Sequence, residues 1–411
     1  MKLLHIIGSM NPHTGGPCQV IRNFAPGFLA QGHSLEVVCL NDPQSDYLGG
    51  DGFPVHAVGQ GRGGWNFHPA LLPWLEKHLP EFDAVILNGL WQYQGYALWK
   101  AAKRAGMPPY FIFPHGMLDP WFQKISVRPL KSLRNWLMWK AVMNRVVRDA
   151  AGLLFTCEEE RRLAQATFSP YRPKREFVVG LGVPEPPERR PIMRAAFEGI
   201  CPAVAGRDYL LFLSRIHPKK GVEMLIQAYA AMPVGKEHSR PKLVIAGPGL
   251  DTPYGKRMQR LAAETCPSDS VVWPGMLAGD VKWGALYHCA AFVLPSHQEN
   301  FGIAAVEALA CGRPVLISDQ VNIWREIKGE GAALVEEDSV AGTAGLLSEW
   351  MGMSPNARQM MAARTKPCFQ KHFSDASATE KLISALASGN HRAAHAAPQP
   401  SECLEFVEPT P

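Results

Sequence analysis

The residues of this chain best placed to do chemistry fall in four clusters, and the richest runs from Leu294 to Pro314. Within it Glu299 precedes Gly302, where a helix is predicted to begin, and Glu307 follows on that helix's second turn. A carboxylate accepts two hydrogen bonds at once, so a pair of them suits the paired hydroxyls of a sugar or a ribose. The helix start would add backbone N–H groups aimed at a phosphate. Two glutamates eight apart also occur by chance on exposed helices. Glu307, however, sits in the otherwise apolar run Ile303 to Cys311, where an unpartnered carboxylate is costly. The second cluster, Ser214-Arg215-Ile216-His217-Pro218-Lys219-Lys220-Gly221, gathers cations that suit a diphosphate: Arg215 as a bidentate fork and Lys220 as a point charge. A solvated basic loop is the other reading. The third and fourth clusters are glycine turns. Gly15 and Gly16 precede a helix from about Cys18 to Ala30, and Gly247 and Gly249 end an apolar run. Both would let a backbone approach a phosphate, or would simply be tight turns.

These groups need strands to present them. Apolar runs at Leu3 to Ile7, Leu35 to Leu40, Ala84 to Leu87, Tyr110 to Phe113 and Leu153 to Thr156 alternate with amphipathic stretches of helical length. That alternation predicts a parallel sheet covered by helices. It stops between Gly180 and Arg207, where five prolines argue against regular structure. It resumes with Tyr209 to Leu213, Lys242 to Ala246, Ser270 to Trp273, Ala291 to Leu294, Pro314 to Ile317 and Ala332 to Val335. The expected organisation is therefore α/β: a first doubly wound domain over 1–180, a linker over 181–207 and a second domain over 208–370. A helix over 371–388 is expected to cross back to the first domain, before a disordered tail over 389–411. Facing sheets of this kind bind ligands at the carboxyl ends of their strands, which is where all four clusters fall.

Composition excludes several classes. With 46% hydrophobic and 19% charged residues, the chain is neither a disordered polymer nor a membrane-spanning one. The opening Lys2 to Ile7 is too short, and lacks the following cleavage site, to be a signal peptide. Nine scattered cysteines contain no C-x-x-C pair, which fits a reducing cytoplasm. A formal charge of +5 is too small and diffuse for a nucleic-acid partner. No D-x-D motif and no His/Asp/Glu cluster with metal spacing occurs, so neither metal nor cofactor is expected. The glycine turn after the first strand does not match G-x-G-x-x-G, although Asp42 could imitate a ribose-binding acid, so a nicotinamide-dependent oxidoreductase stays a weaker rival.

Taken in order, Phe212 to Gly221, the Glu299-x7-Glu307 segment and its Pro295-Ser296, Phe301-Gly302 and Gly312-Arg313-Pro314 surroundings resemble glycosyltransferase family 4. The resemblance is strong over about 208–340 and continuous but weaker over the first 180 residues, where Gly15-Gly16-Pro17 and His115-Gly116 stand at the family's loops. It implies the GT-B fold of two Rossmann-like domains and a retaining transfer from a nucleotide-diphosphate sugar. Arg215 and Lys220 would hold the donor diphosphate with the backbone amides of Phe301 and Gly302, Glu307 would hold the ribose, and Asn300 would belong to the donor-binding set. Glu299 and His115 would flank the transferred sugar, with Gly16, Gly247 and Gly249 shaping the donor site. Gly180-Leu181-Gly182-Val183 departs from the pattern, since many members have asparagine before the first glycine. A nucleotide-sugar epimerase of the same fold is the alternative.

Residues 121–148 lack any acidic residue and alternate cations (Lys124, Arg128, Lys131, Arg134, Lys140, Arg145, Arg148) with Trp121, Leu130, Leu133, Trp136, Leu137, Trp139 and Met143. This reads either as an interfacial helix on an anionic membrane or as a domain helix with a solvated basic face. On the first reading the protein is cytoplasmic and peripheral to the inner face of the plasma membrane, and its acceptor is a lipid-linked glycan.

Overall fold

The computed structural model describes residues 1–14, 16–123, 129–232 and 240–389. Gly15, Lys124, Arg128 and the expected tail from 390 onward lie outside them. The first sheet contains β1 (Lys2–Ile7), β2 (Ser34–Cys39), β3 (Val55–Ala57), β4 (Ala84–Asn88), β5 (Tyr110–Phe113), β6 (Gly152–Phe155) and β7 (Glu176–Val178), in the order β3-β2-β1-β4-β5-β6-β7. The second contains β8 (Tyr209–Leu213), β9 (Lys242–Ala246), β10 (Val271–Gly275), β11 (Ala291–Leu294), β12 (Val315–Ser318) and β13 (Ala333–Glu336), in the order β10-β9-β8-β11-β12-β13. Every strand pair is parallel, as between β1 and β4, where Leu3 faces Ala84. Strands covered on both faces read as unbroken apolar runs rather than alternation. Accordingly β4, β5, β6, β11 and β12 are buried at every position.

Strand order reverses between β1 and β4 in one sheet and between β8 and β11 in the other. A crevice opens at such a reversal because successive helices leave on opposite faces. The glycine turn follows β1, the cationic loop follows β8 and the glutamate segment follows β11.

The proline-rich stretch departs from the expected irregular linker. Pro191–Ile200 is a helix with Pro191 in its first turn, where the missing N–H costs nothing. Pro184, Pro186, Pro187 and Pro202 fall outside it. Met193 and Phe197 are buried on its inner face, against the helix Gly279–His288. The approach is so close that a Cβ on Gly284 would lie 1.9 Å from the Met193 carbonyl oxygen. This helix therefore belongs to the second domain.

At the other end, Pro355–His372 covers the second domain and Asp375–Gly389 lies on the first helix, Gly16–Ala30. The chain passes between domains twice, side by side: Val183 N–H donates to Phe373 O at 2.9 Å, and Asp375 N–H donates to Val183 O at 3.2 Å.

The basic stretch also divides. Trp139 and Met143 are fully buried, whereas Leu130, Leu133, Trp136 and Leu137 on the helix Pro129–Met138 are 84%, 57%, 50% and 53% exposed. The seven apolar residues are therefore not one face. Among the described residues no helix is long and apolar enough to cross a membrane.

Replacing glycine by alanine inside a helix normally stabilises it by about 0.5–1 kcal/mol. That gain is expected at Gly199, where a Cβ meets nothing within 4 Å. At Gly284 the backbone clash reverses the sign, with a cost of roughly 1–3 kcal/mol from overpacking. Thermal unfolding of Gly199→Ala and Gly284→Ala should move in opposite directions, and equal shifts would dissolve the assigned helix contact.

Candidate functional site

One cavity of about 570 Å³ between the domains collects most of the singled-out residues. From the first domain come Gly16, Pro17 and His115, and from the second Arg215, Lys220, Gly247, Glu299, Asn300, Phe301, Gly302 and Glu307. Gly249 does not reach it. A Cβ there would lie 2.8 Å from the Ile216 carbonyl oxygen, so Gly249 supports the cationic loop from behind.

The cationic loop is braced by local contacts. The His217 ring accepts from the Lys219 N–H, capping the short turn Pro218–Lys220. Gly221 then takes φ of +70°, and a Cβ on it would sit 1.8 Å from the Pro295 carbonyl oxygen, so only glycine allows the loops after β8 and β11 to touch. That contact brings the Lys220 ammonium onto the Glu299 carboxylate. Burial, then the like charges of Arg215 and Lys219, draws the Lys220 pKa below its ordinary value. Arg215 stands exposed at the cavity wall.

Glu299 is anchored through its backbone, its N–H donating to Gln320 O at 2.9 Å and its carbonyl accepting from Asn322 N–H at 2.9 Å. Gly302 caps the helix Ile303–Ala310. Residues 301–304 line the cavity at the end where N–H groups have no partner within the helix.

Glu307 has a partner that the sequence reading missed: Lys282, from the helix Gly279–His288, places its ammonium 2.9 Å from the carboxylate. Lys282 also lies 4.0 Å over the Trp283 ring. No local pattern marks it, because the pairing joins residues 25 apart on two helices. The pair explains how a carboxylate persists in an apolar helix.

His115 follows β5 with φ of +52°, and its ring stacks on Phe113 at 4.5 Å. Its Nε2 lies 3.1 Å from Asn88 Oδ1, and the Asn88 amide nitrogen lies 3.1 Å from Nδ1 of His5 in β1. Asn88 and His5 carry no motif and were also missed. Burial pushes both histidines down to about 3, the His115 charge adding to the effect on His5. Both rings are therefore neutral near pH 7.

Between the domains, Gln298 donates to Asp119 at 2.8 Å and Arg325 to Glu159 at 2.6 Å. Glu160, fully buried, accepts from the Thr156 hydroxyl at 2.6 Å and from the Gly116 N–H at 2.5 Å, beside Asn300 of the second domain.

Two facing parallel-sheet domains, with cations, carboxylates and a helix end converging between them, define the architecture as GT-B. The comparisons agree. A model of glycosyl transferases group 1 matches residues 201–366, and one of the glycosyl transferase 4-like domain matches residues 15–182. The chain belongs to the group 1 glycosyltransferases of family 4.

Relatives include an uncharacterised glycosyltransferase of Methanocaldococcus jannaschii, 35% identical over 146 residues, 34% of this chain and 36% of that protein. Another is the alpha-monoglucosyldiacylglycerol synthase of Streptococcus pneumoniae, 38% identical over 113 residues, 27% of this chain and 24% of that one. The aligned segment thus spans about a third or less of these relatives. Among solved structures, Anabaena HepE in complex with UDP and glucose superposes with a TM-score of 0.72 at 17% identity, covering 94% of this chain and 100% of that one. WaaG, a glycosyltransferase involved in lipopolysaccharide biosynthesis, gives 0.60 at 18% identity, covering 93% and 98%.

The two histidines set a pH dependence. In the unfolded chain they take protons near pH 6.5, and in the folded protein only near about 3. The stability that comes from keeping them neutral is present above pH 6.5 and is lost as pH falls from there toward 3. The melting temperature should drop between pH 7 and pH 5, and His5→Gln should flatten that slope. Identical slopes would remove His5 from the account.

Proposed function

We propose that this protein transfers a sugar, with retention of configuration and without a metal ion, from a nucleoside-diphosphate donor to a glycan or lipid-linked acceptor in cell-surface polysaccharide assembly. The observation that carries the reading is the inter-domain cavity, where Arg215, Lys220 and the helix end at 301–304 stand together beside Glu299 and Glu307. In such transfer the bond between the anomeric carbon and the phosphate oxygen breaks early, so negative charge builds on the departing diphosphate. Preorganised donors are worth roughly 3 kcal/mol each against such charge. Arg215 and Lys220 meet the diphosphate, Glu307 with Lys282 receives the ribose, and Glu299 and His115 border the sugar.

The acceptor oxygen bonds to the anomeric carbon on the face that the phosphate leaves, and its proton passes to the departing phosphate oxygen. A neutral His115 suits this step, because it offers a hydrogen bond without competing for the diphosphate. The family models favour transfer over epimerisation. The structural neighbour bound to UDP-glucose supports the donor class.

A donor binding only the folded state raises its melting temperature by mass action. Among UDP-, GDP-, ADP- and dTDP-sugars, at least one should stabilise the protein, and Lys220→Ala and Glu307→Gln should abolish its shift. Transfer should persist in EDTA, and activity lost to the chelator and regained with magnesium or manganese would refute metal independence.

The lipid-linked acceptor and the inner-face location rest on the helix Pro129–Met138. Its four exposed apolar residues stand among Lys131, Arg134 and Lys140 in the pattern of a helix lying on an anionic bilayer. The name of the pneumococcal relative, a diacylglycerol-lipid synthase, points the same way. The protein should float with anionic but not zwitterionic liposomes, and the double variant Leu133→Ser/Trp136→Ser should stay behind. Flotation unaltered by the double variant would remove this helix as the anchor.

A further inference from the structure

A second crevice of about 450 Å³ adjoins the inter-domain cavity at Pro17. It opens at the carboxyl ends of β1, β2 and β4. Its polar lining consists of Ser9, Asn41, Tyr47, Asn66, Asn88 and Gln92, with Asn11 and Gln60 at the rim, and no described residue lining it is charged or a histidine.

The lining is held in place. Asn41 accepts from the Met10 N–H at 2.8 Å and donates to Ser9 Oγ at 3.0 Å and to the Tyr47 hydroxyl at 2.9 Å. Asn66 adopts φ of +54°, a conformation that asparagine tolerates better than most residues. Gln94, buried behind, donates to Gln92 Oε1 at 2.9 Å while its own Oε1 has no partner. A Cβ on Gly8 would fall 2.5 Å from Gln92 Oε1 and 3.2 Å from Asn66 Nδ2, so the absent side chain lets the two amides converge.

This chemistry selects a ligand class. Amides and hydroxyls set donors and acceptors side by side, the pattern that matches C–OH groups, each of which both donates and accepts. A phosphate or carboxylate would lose its hydration here without meeting a cation. An apolar chain would cover amides and leave their hydrogen bonds unmade. Asn88 belongs both to this lining and to the contact with His115, which lines the donor cavity, so a ligand hydroxyl at this end approaches the sugar position.

We propose that this crevice is the acceptor subsite and takes an uncharged sugar or polyol unit; any phosphate or lipid on the acceptor lies outside it. The proposal rests on the transfer reading above. Saturation-transfer NMR tests it, using methyl glucoside, methyl mannoside, methyl galactoside and myo-inositol against glucose 6-phosphate and glucuronate. At least one neutral compound should receive saturation from the wild-type protein, and Gln92→Leu and Tyr47→Phe should each weaken that signal about fivefold, the scale of one lost hydrogen bond. Melting curves establish that the variants fold, and their donor-induced thermal shift should remain. Stronger signals from the charged compounds, no neutral binder, or neutral binding untouched by both folded variants would overturn the subsite. A wild-type protein that no donor stabilises would instead overturn the transfer reading.

Discussion

The partly buried contact between the Lys220 ammonium and the Glu299 carboxylate is the interaction around which the second domain's half of the site is built. A lone charge at Lys220 would carry a desolvation cost that the facing carboxylate offsets. Their meeting depends on Gly221, since any side chain there would collide with the Pro295 backbone and part the loops after β8 and β11. The Lys282 pairing with Glu307 repeats the device one helix away. Four charges are thereby held beside the cavity in two oppositely charged pairs.

The first domain contributes a different kind of surface. Its His115 is neutral and stacked, its neighbouring crevice carries amides and hydroxyls, and its helix Pro129–Met138 carries cations on an exposed apolar stripe. The charged side chains of the cavity thus come from the second domain, and the amides and hydroxyls of the neighbouring crevice from the first. The seam between them is closed by hydrogen bonds and ion pairs such as Gln298 to Asp119 and Arg325 to Glu159, contacts that water can replace. Glu160 takes up hydrogen bonds from the Gly116 N–H and the Thr156 hydroxyl, the latter also met by Asn300 of the second domain, so the turn after His115 is braced where the domains touch.

Much of the fold was readable from the sequence because strands buried on both faces leave continuous apolar runs, and the runs at Tyr209 to Leu213 and Ala291 to Leu294 match their strands residue for residue. The edge strands Val55–Ala57 and Glu176–Val178 were missed, being three residues long and half-buried. Proline density hid the helix Pro191–Ile200, since counting prolines ignores that the first turn of a helix accepts one. Site residues at strand ends were visible as motifs. Lys282, Asn88 and His5 were not, because each acts through a neighbour distant in sequence, and pairing across helices or strands leaves no local signal. The tryptophans of the basic stretch show the same limit: composition grouped Trp136 with Trp139, and the fold sends one to solvent and the other to the core.

The two side-by-side crossings near Val183 and Ser374 have a mechanical meaning. A single connection is a tether, about which two bodies can swing and twist in every direction. Two connections, bonded to each other and anchored at Asp375–Gly389 on the first helix, remove part of that freedom. Any relative displacement of the domains must bend both connections at once.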